Sequence, residues 1–169
     1  MINQVRQGKA HLFGNNIDTD QIYPAKFLEY TELEDIKKHA LSGSPDSHFV
    51  DEVTPGDFVI AGTNFGCGSS REQAAITLKA NQVGAVMAES FARIFFRNAI
   101  NLGLPVITCK GISSHVNQGD EVKLDLQSGQ FTNLTTGWET KVEPLDDYIL
   151  NILNNGGIKP LMRKITGKD

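Results

Sequence analysis

Cysteine is scarce in this chain, and that scarcity narrows the chemistry. Cys67 and Cys109 are the only two among 169 residues, with no CxxC pair and no spacing of a disulfide framework, so they read as reduced cytosolic thiols. Two thiolates also fall short of what an iron–sulfur cluster needs, so this chain alone builds none. Histidine is equally sparse: His11, His39, His48 and His115 show no i, i+4 pairing on a helix, and no metal site is expected. Long apolar runs are missing. The longest, Phe58–Ala61 and Val83–Ala88, are far below the roughly 20 residues of a membrane span. The opening stretch MINQVRQGKAHLFG has no apolar core of signal-peptide length, so the expected location is cytoplasmic. Basic charge is not in excess either. Sixteen Lys and Arg against twenty Asp and Glu leave a net charge of −4, which argues against a nucleic-acid or anionic-membrane surface.

What is present suits a packed α/β protein. Hydrophobic residues make up 40% and charged residues 21%, ordinary values for a globular chain, and the length fits one domain over residues 1–169. There is no internal repeat. Residues 5–13 read as a strand, followed by a break at Gly14-Asn15-Asn16 and a polar loop from Ile17 to Asp20 that Pro24 closes. A helix is expected from Thr31, capped by Thr31 with Glu34 as the capping-box partner and an apolar face of Leu33, Ile36 and Leu41. Gly43-Ser-Pro45 ends it, and the Ser/Asp-rich stretch to Pro55 reads as a surface loop.

Alternating strand and helix signals then mark parallel pairing through crossover helices. They are strand 57–61, helix 71–81, strand 83–88, helix 90–102 with Gly103 as its stop, and strand 104–109. Segments 121–126 and 131–136 read as a hairpin about Ser128-Gly129, and a final helix spans 145–154. The basic tail, about 158–169, is expected to be extended or frayed.

The turn Asn64-Phe-Gly-Cys-Gly-Ser-Ser-Arg-Glu72 is the most informative segment, because it joins a strand end to a helix start. Gly66 and Gly68 permit close approach, and a helix N-terminus offers unpaired N–H groups to a carboxylate or phosphate. Ser69, Ser70 and Arg71 add two hydroxyls and a guanidinium. They could grip a carboxylate and lower the cost of a seryl alkoxide beside it. The same letters also fit an S-x-x-E capping box from Ser69 to Glu72, in which Ser69 merely closes the helix end. Both readings stand at this point. The segment lacks GxxxxGK[ST] and the third glycine of the dinucleotide fingerprint. Cys67 has no histidine that the sequence can place beside it as a base. Asp18-Thr-Asp20 could position a ligand or cap its own turn. Arg93 and Arg97, at i, i+4 spacing, read as solvated surface, and Phe91, Ile94, Phe95 and Ile100 read as core.

Three segments together resemble a known family. Asn16-Ile-Asp-Thr-Asp-Gln-Ile22, Asn64–Glu72 and Ser90-Phe-Ala-Arg-Ile-Phe-Phe-Arg-Asn-Ala-Ile-Asn-Leu-Gly-Leu-Pro105 are similar, in order and spacing, to the small subunit of 3-isopropylmalate dehydratase, the swivel domain of the aconitase superfamily. The resemblance implies a three-layer β/β/α domain with a mixed, partly closed sheet. It also implies a partner, a large subunit holding a 4Fe–4S cluster, and a small hydroxy-di- or tricarboxylate substrate. By position it makes Ser69 the base that takes a proton from the carbon beside a carboxylate, with Ser70 and Arg71 binding substrate and steadying the alkoxide. Asp20 carries over as a further substrate-site residue.

In the family, the loop after Pro24 chooses the substrate, and here it reads Phe27-Leu28-Glu29-Tyr30. Members acting on homoaconitate can carry an arginine there; Glu29 either points into solvent, with no bearing on the substrate, or would repel an anionic arm, while Phe27, Leu28 and Tyr30 offer surface for a branched alkyl group. Gln73-Ala-Ala75 departs from the His-Ala-Pro of many members. The resemblance therefore implies isomerisation of 2-isopropylmalate to 3-isopropylmalate in leucine biosynthesis. Homoaconitate or dimethylmalate chemistry, or a stand-alone carboxylate-binding module, are the alternatives.

Overall fold

The computed structural model describes residues 4–44 and 47–167. Seven strands form one mixed sheet: β1 (Val5–Leu12), β2 (Phe58–Ala61), β3 (Ala85–Ala88), β4 (Val106–Thr108), β5 (Glu121–Asp125), β6 (Gln130–Asn133) and β7 (Glu139–Lys141). Their order across the sheet is β4-β3-β2-β1-β5-β6-β7. The first four run parallel and the last three antiparallel.

The parallel half is covered on both faces, which is why its strands read as unbroken apolar runs. Alternate side chains of β2 go to opposite sides: Val59 and Ala61 join one apolar cluster, Phe58 and Ile60 the other. The first cluster is closed by helices α4 (Glu72–Ala80), α5 (Arg93–Asn101), α7 (Asp147–Asn154) and α8 (Ile158–Thr166). The second is closed by β5 and β6 through Val122, Leu124 and Phe131, with Ile112 and Val116 from the segment of α6 (Ile112–His115). The result is the expected β/β/α layering, with α4 and α5 on one side. The sheet curls into a half-barrel. Its two edge strands, β4 and β7, flank a cleft of about 470 Å³, and among the described residues they do not pair with each other.

Several expectations need correction. The polar loop from Ile17 contains a one-turn helix, α1 (Thr19–Ile22), closed by a capping box between Asp18 and Gln21. The helix expected at Thr31 begins later, as α2 (Leu33–Lys37), with Glu32 at its N-cap and no side-chain cap. Leu33 is 61% exposed, so only Ile36 and Leu41 of its expected face reach the core. Pro45 lies outside the described residues. The loop before Pro55 holds α3 (Phe49–Glu52), because Phe49 anchors it in the first cluster. The tail is a helix through Thr166, neither extended nor frayed there. Gly157 turns the chain at φ 129°, Pro160 sits in the first turn where its missing N–H costs nothing, and Leu161 packs into the core. Strand β7 adds a third antiparallel strand beyond the expected hairpin.

Candidate active site

The loops that leave the carboxyl ends of β1, β2 and β3 meet beyond the sheet, the usual place for a ligand in a parallel α/β arrangement. They are sewn together by backbone bonds. Gly66 N–H donates to Ile17 O at 2.8 Å, Thr19 N–H to Cys67 O at 2.8 Å, Phe65 N–H to Ser90 O at 3.0 Å and Ala92 N–H to Phe65 O at 2.9 Å. Two side chains add to this: Ser90 Oγ accepts the N–H of Asn64, and Asn64 donates to Asn16 Oδ1. Gly66 is essential to the fit. Its φ is 86°, and a Cβ there would lie 2.3 Å from Cγ of Phe95.

The two readings of Ser69 separate here. Helix α4 has Arg71 at its N-cap, with no side-chain cap bond, so Ser69 and Glu72 do not form a capping box. Gly68 in the left-handed region, at φ 94°, and extended Arg71 delay the helix by two residues. Both serines are exposed, and neither hydroxyl bonds to another described residue. The N–H groups of Gly68, Ser69 and Ser70 have no backbone partner among the described residues. Hydroxyls, open amides and an uncapped nine-residue helix converge on one spot, a surface suited to an anion.

Arg71 is held from behind. Its Nη1 donates to Asp20 Oδ1 at 2.9 Å and to Tyr23 O at 3.0 Å. The hydrogen bond from Arg71, then that from Ala25 N–H, holds the Asp20 carboxyl below its ordinary range. Ser69, Ser70 and Arg71 line a cleft of about 390 Å³ together with Arg93, Ile94 and Asn98 from the first two turns of α5. That volume is in the range of small-molecule sites. Arg93 and Arg97 are exposed, as expected for solvated residues. Ile94 is not core: it is 54% exposed, in the cleft. Its apolar letter beside Phe95 hid this in the sequence.

The loop Phe27–Tyr30 forms none of the wall of that cleft. Its link to the site is Asp20, whose Oδ1 also accepts the N–H of Ala25 at 3.0 Å. Phe27 begins no free apolar surface, because its ring stacks on His39 with centroids 3.6 Å apart, and Tyr30 lies parallel to His39 at 5.6 Å. Tyr23 donates its hydroxyl to Phe27 O at 2.6 Å. Leu28 and Glu29 are left exposed. Both cysteines are free; burial, with Glu89 nearby, pushes the Cys109 thiol up to about 11, so it is inert at neutral pH. Among the described residues no helix is long and apolar enough to cross a membrane.

The aconitase C-terminal domain family matches residues 2–111, which contain all three motif segments. The chain belongs to that family. It is 49% identical over 158 residues to the isopropylmalate/citramalate isomerase small subunit of Methanocaldococcus jannaschii, covering 94% of each chain. It is also 49% identical over 152 residues to the methanogen homoaconitase small subunit of Methanothermobacter thermautotrophicus, covering 90% of this chain and 87% of the other. The crystal structure of 3-isopropylmalate dehydratase from Methanocaldococcus jannaschii superposes with a TM-score of 0.90 at 39% identity, over 96% of this chain and 95% of that one. The aconitase-type fold expected from the motifs is thereby established. Relatives of equal identity carry different substrate names, so the choice of substrate rests on the site itself.

Proposed function

We propose that this chain is the small subunit of a two-subunit hydro-lyase that isomerises 2-isopropylmalate to 3-isopropylmalate by dehydration and rehydration, in leucine biosynthesis. The observation that carries this is the pair of unbonded hydroxyls, Ser69 and Ser70, beside an arginine that Asp20 already holds in place. A hydroxyl that serves only as a cap would be consumed by its bond to the helix; these two face the cleft.

Elimination of water from a hydroxy acid needs a base on one carbon and a Lewis acid on the hydroxyl of the next. In this reading Ser69 takes the proton. Arg71 and Ser70 bind the carboxylate that makes that carbon acidic, and the open N–H groups at Gly68–Ser70 favour a negative oxygen nearby. On readdition Ser69 returns the proton to the neighbouring carbon. The two cysteines of this chain cannot supply the thiolates of a 4Fe–4S cluster. Among the described residues there is also no group of three or more His, Cys, Asp or Glu that could hold a metal. In this reading the cluster, which would supply the Lewis acid, belongs to the large subunit, as the resemblance implies, and the reaction is cytoplasmic.

The substrate side of the proposal follows from charge. Glu29 is exposed and carries no ion pair among the described residues, and in this reading, where the loop Phe27–Tyr30 chooses the substrate as the resemblance implies, it opposes a third substrate carboxylate. That favours an alkyl-bearing malate over homoaconitate.

The test is the Ser69→Ala variant purified with its large subunit. Loss of turnover on 2-isopropylmalate by about a thousandfold, within the range assigned to a general base, with subunit association unchanged, is the expected result. Activity within a few-fold of the unaltered complex sinks the base assignment. A chain that comes from its native cells alone and iron-free under anaerobic conditions would instead favour a stand-alone carboxylate-binding module.

A further inference from the structure

Phe27 and Tyr30 are ordered by a ring from another part of the chain. His39 stacks on Phe27 with the two planes 10° from parallel, and Tyr30 lies within 6° of parallel to His39. All three rings are half-buried, and none belongs to either apolar cluster of the core. The stack therefore orders the loop, while the core is complete without it. Among the described residues only the backbone carbonyl of His39 is hydrogen-bonded by a side chain, that of Ser42, so the imidazole is held through its faces.

The two sides of the stack are anchored differently. His39 leads into Leu41, which is fully buried, and Leu41 N–H donates to Ile22 O at 2.7 Å and Gly43 N–H to Gln21 O at 3.0 Å. His39 to Gly43 is thereby tied to α1, the helix that carries Asp20. The loop is fixed at its start by Ala25 N–H on Asp20 and by the Tyr23 hydroxyl on Phe27 O. Beyond that point Leu28 and Glu29 stand exposed between the two rings. The direction they take is set by where Phe27 and Tyr30 rest, and both rest on His39.

From this we infer that His39 is the positioning residue of the loop Phe27–Tyr30, a neutral stacking platform that fixes how Leu28 and Glu29 are presented and so sharpens the choice of substrate. This rests on the reading in which that loop chooses the substrate. Histidine differs from a phenyl ring at this place because it can take a proton. The charged and titratable groups around it are Asp35 and Lys38 from α2 and its end, Lys26 on the loop, and the phenols of Tyr23 and Tyr30. Burial, with Lys38 and Lys26 and against Asp35, holds the imidazole below its ordinary value. A charged ring would give up water and meet two lysines. The platform is therefore complete above the ordinary histidine value of about 6.5 and is lost as pH falls through the lowered one.

The experiment compares His39→Ala and His39→Phe with the unaltered protein. Trypsin cleavage after Lys26 is timed on each full-length chain at about pH 7.5, where the imidazole is neutral. Each chain is also purified with the large subunit, and kcat/KM is measured on 2-isopropylmalate and on homoaconitate, or an inhibition constant for an acid that binds without turnover. His39→Ala is expected to be cleaved about tenfold faster, and its preference for 2-isopropylmalate to narrow by about tenfold. His39→Phe keeps the stack and should match the unaltered protein in both measurements. When the pH is lowered to about 5.5, the preference of the unaltered complex should narrow and that of His39→Phe should not, a difference that lost packing alone would not produce. Unchanged cleavage of His39→Ala overturns the inference whatever the complex does. Faster cleavage with an unchanged preference, or an equal pH response in His39→Phe, overturns it as well and leaves His39 a prop for the backbone only. An unaltered complex that neither turns over nor binds either acid overturns the isomerase reading and the inference with it.

Discussion

Arg71 and Asp20, 51 residues apart in the chain, meet at 2.9 Å through one carboxylate oxygen that also accepts the N–H of Ala25. A single oxygen thus fixes the guanidinium beside the serines and the start of the loop that leads to Glu29. In the proposed reading Asp20 acts through Arg71, as a positioning residue. Exposed ion pairs add little to stability, so its contribution is geometric.

Asp20→Asn is expected to lower kcat/KM of the complex by about ten- to a hundredfold, the cost of a small misplacement of a binding group, with little change in thermal stability. Because Arg71 and then Ala25 N–H hold the Asp20 carboxyl below its ordinary range, the pair is intact at neutral pH. It is lost only as pH falls through that lowered value. Carboxyl carbon NMR of the chain should show Asp20 titrating below the usual aspartate range of about 3.9. Replacing Arg71 by alanine should move the midpoint up; an unmoved midpoint rules out the pair as the cause.

Gly66 and Gly68 both adopt positive φ, at 86° and 94°, yet their surroundings differ. A Cβ on Gly66 would be 2.3 Å from Cγ of Phe95, whereas on Gly68 its nearest neighbour is 3.5 Å away. Alanine at 68 should cost only the left-handed backbone penalty, about 1–2 kcal/mol. Alanine at 66 should add overpacking, for roughly 2–5 kcal/mol in all. Urea denaturation of the two variants decides it, and equal losses would mean that Phe95 moves aside freely.

How legible this was depended on whether a feature is local. The buried runs of β2, β3 and β4 declare themselves in the sequence because parallel strands are apolar on both faces, and Gly66 to Arg71 stood out because a strand end meets a helix start there. The capping box did not survive because S-x-x-E is a pattern of letters. The real start of α4 is set by the left-handed turn at Gly68 and by Arg71 reaching back to Asp20 and Tyr23. Strand β7 has three residues, Glu139, Thr140 and Lys141, that carry no strand signal and gain their conformation from β6. Helix α8 depends on Leu161 finding the core, a tertiary fact. Ile94 reads as core from its letter alone, yet it is exposed while its neighbour Phe95 is buried, because the two lie on different faces of one turn.

Outside the site, Asp57 is a buried junction between β1 and β2. Its carboxylate accepts Lys9 N–H at 3.0 Å, Thr54 N–H at 2.9 Å and His11 Nε2 at 2.8 Å. Asp57→Ala would leave these donors without an acceptor, at a cost of about 2–5 kcal/mol. Asp57→Asn, which keeps one carbonyl oxygen, should lose less. Melting of the isolated chain orders the three proteins, and an Asn variant as unstable as the Ala variant would show that charge, not acceptor count, is what matters there.

Glu89 performs a similar task at the end of β3, where it holds the turn into α6. Oε1 accepts Gly111 N–H at 2.7 Å, and Oε2 accepts the N–H and the hydroxyl of Ser113 at 2.9 and 2.6 Å. Burial alone would push this carboxyl up, but the bonds from Ser113 and Gly111, with His115 nearby, outweigh it and hold Glu89 below the ordinary range. A carboxyl that is more acidic folded than unfolded stabilises the protein above its unfolded value of about 4.3, and loses that contribution as pH falls through the folded value. Glu89→Gln should therefore be less stable than the unaltered chain at pH 7, with the gap narrowing as the pH drops below about 4. Urea midpoints across that range measure the gap directly. A gap of constant size would show that Glu89 acts by shape alone, since a neutral amide has no proton to gain.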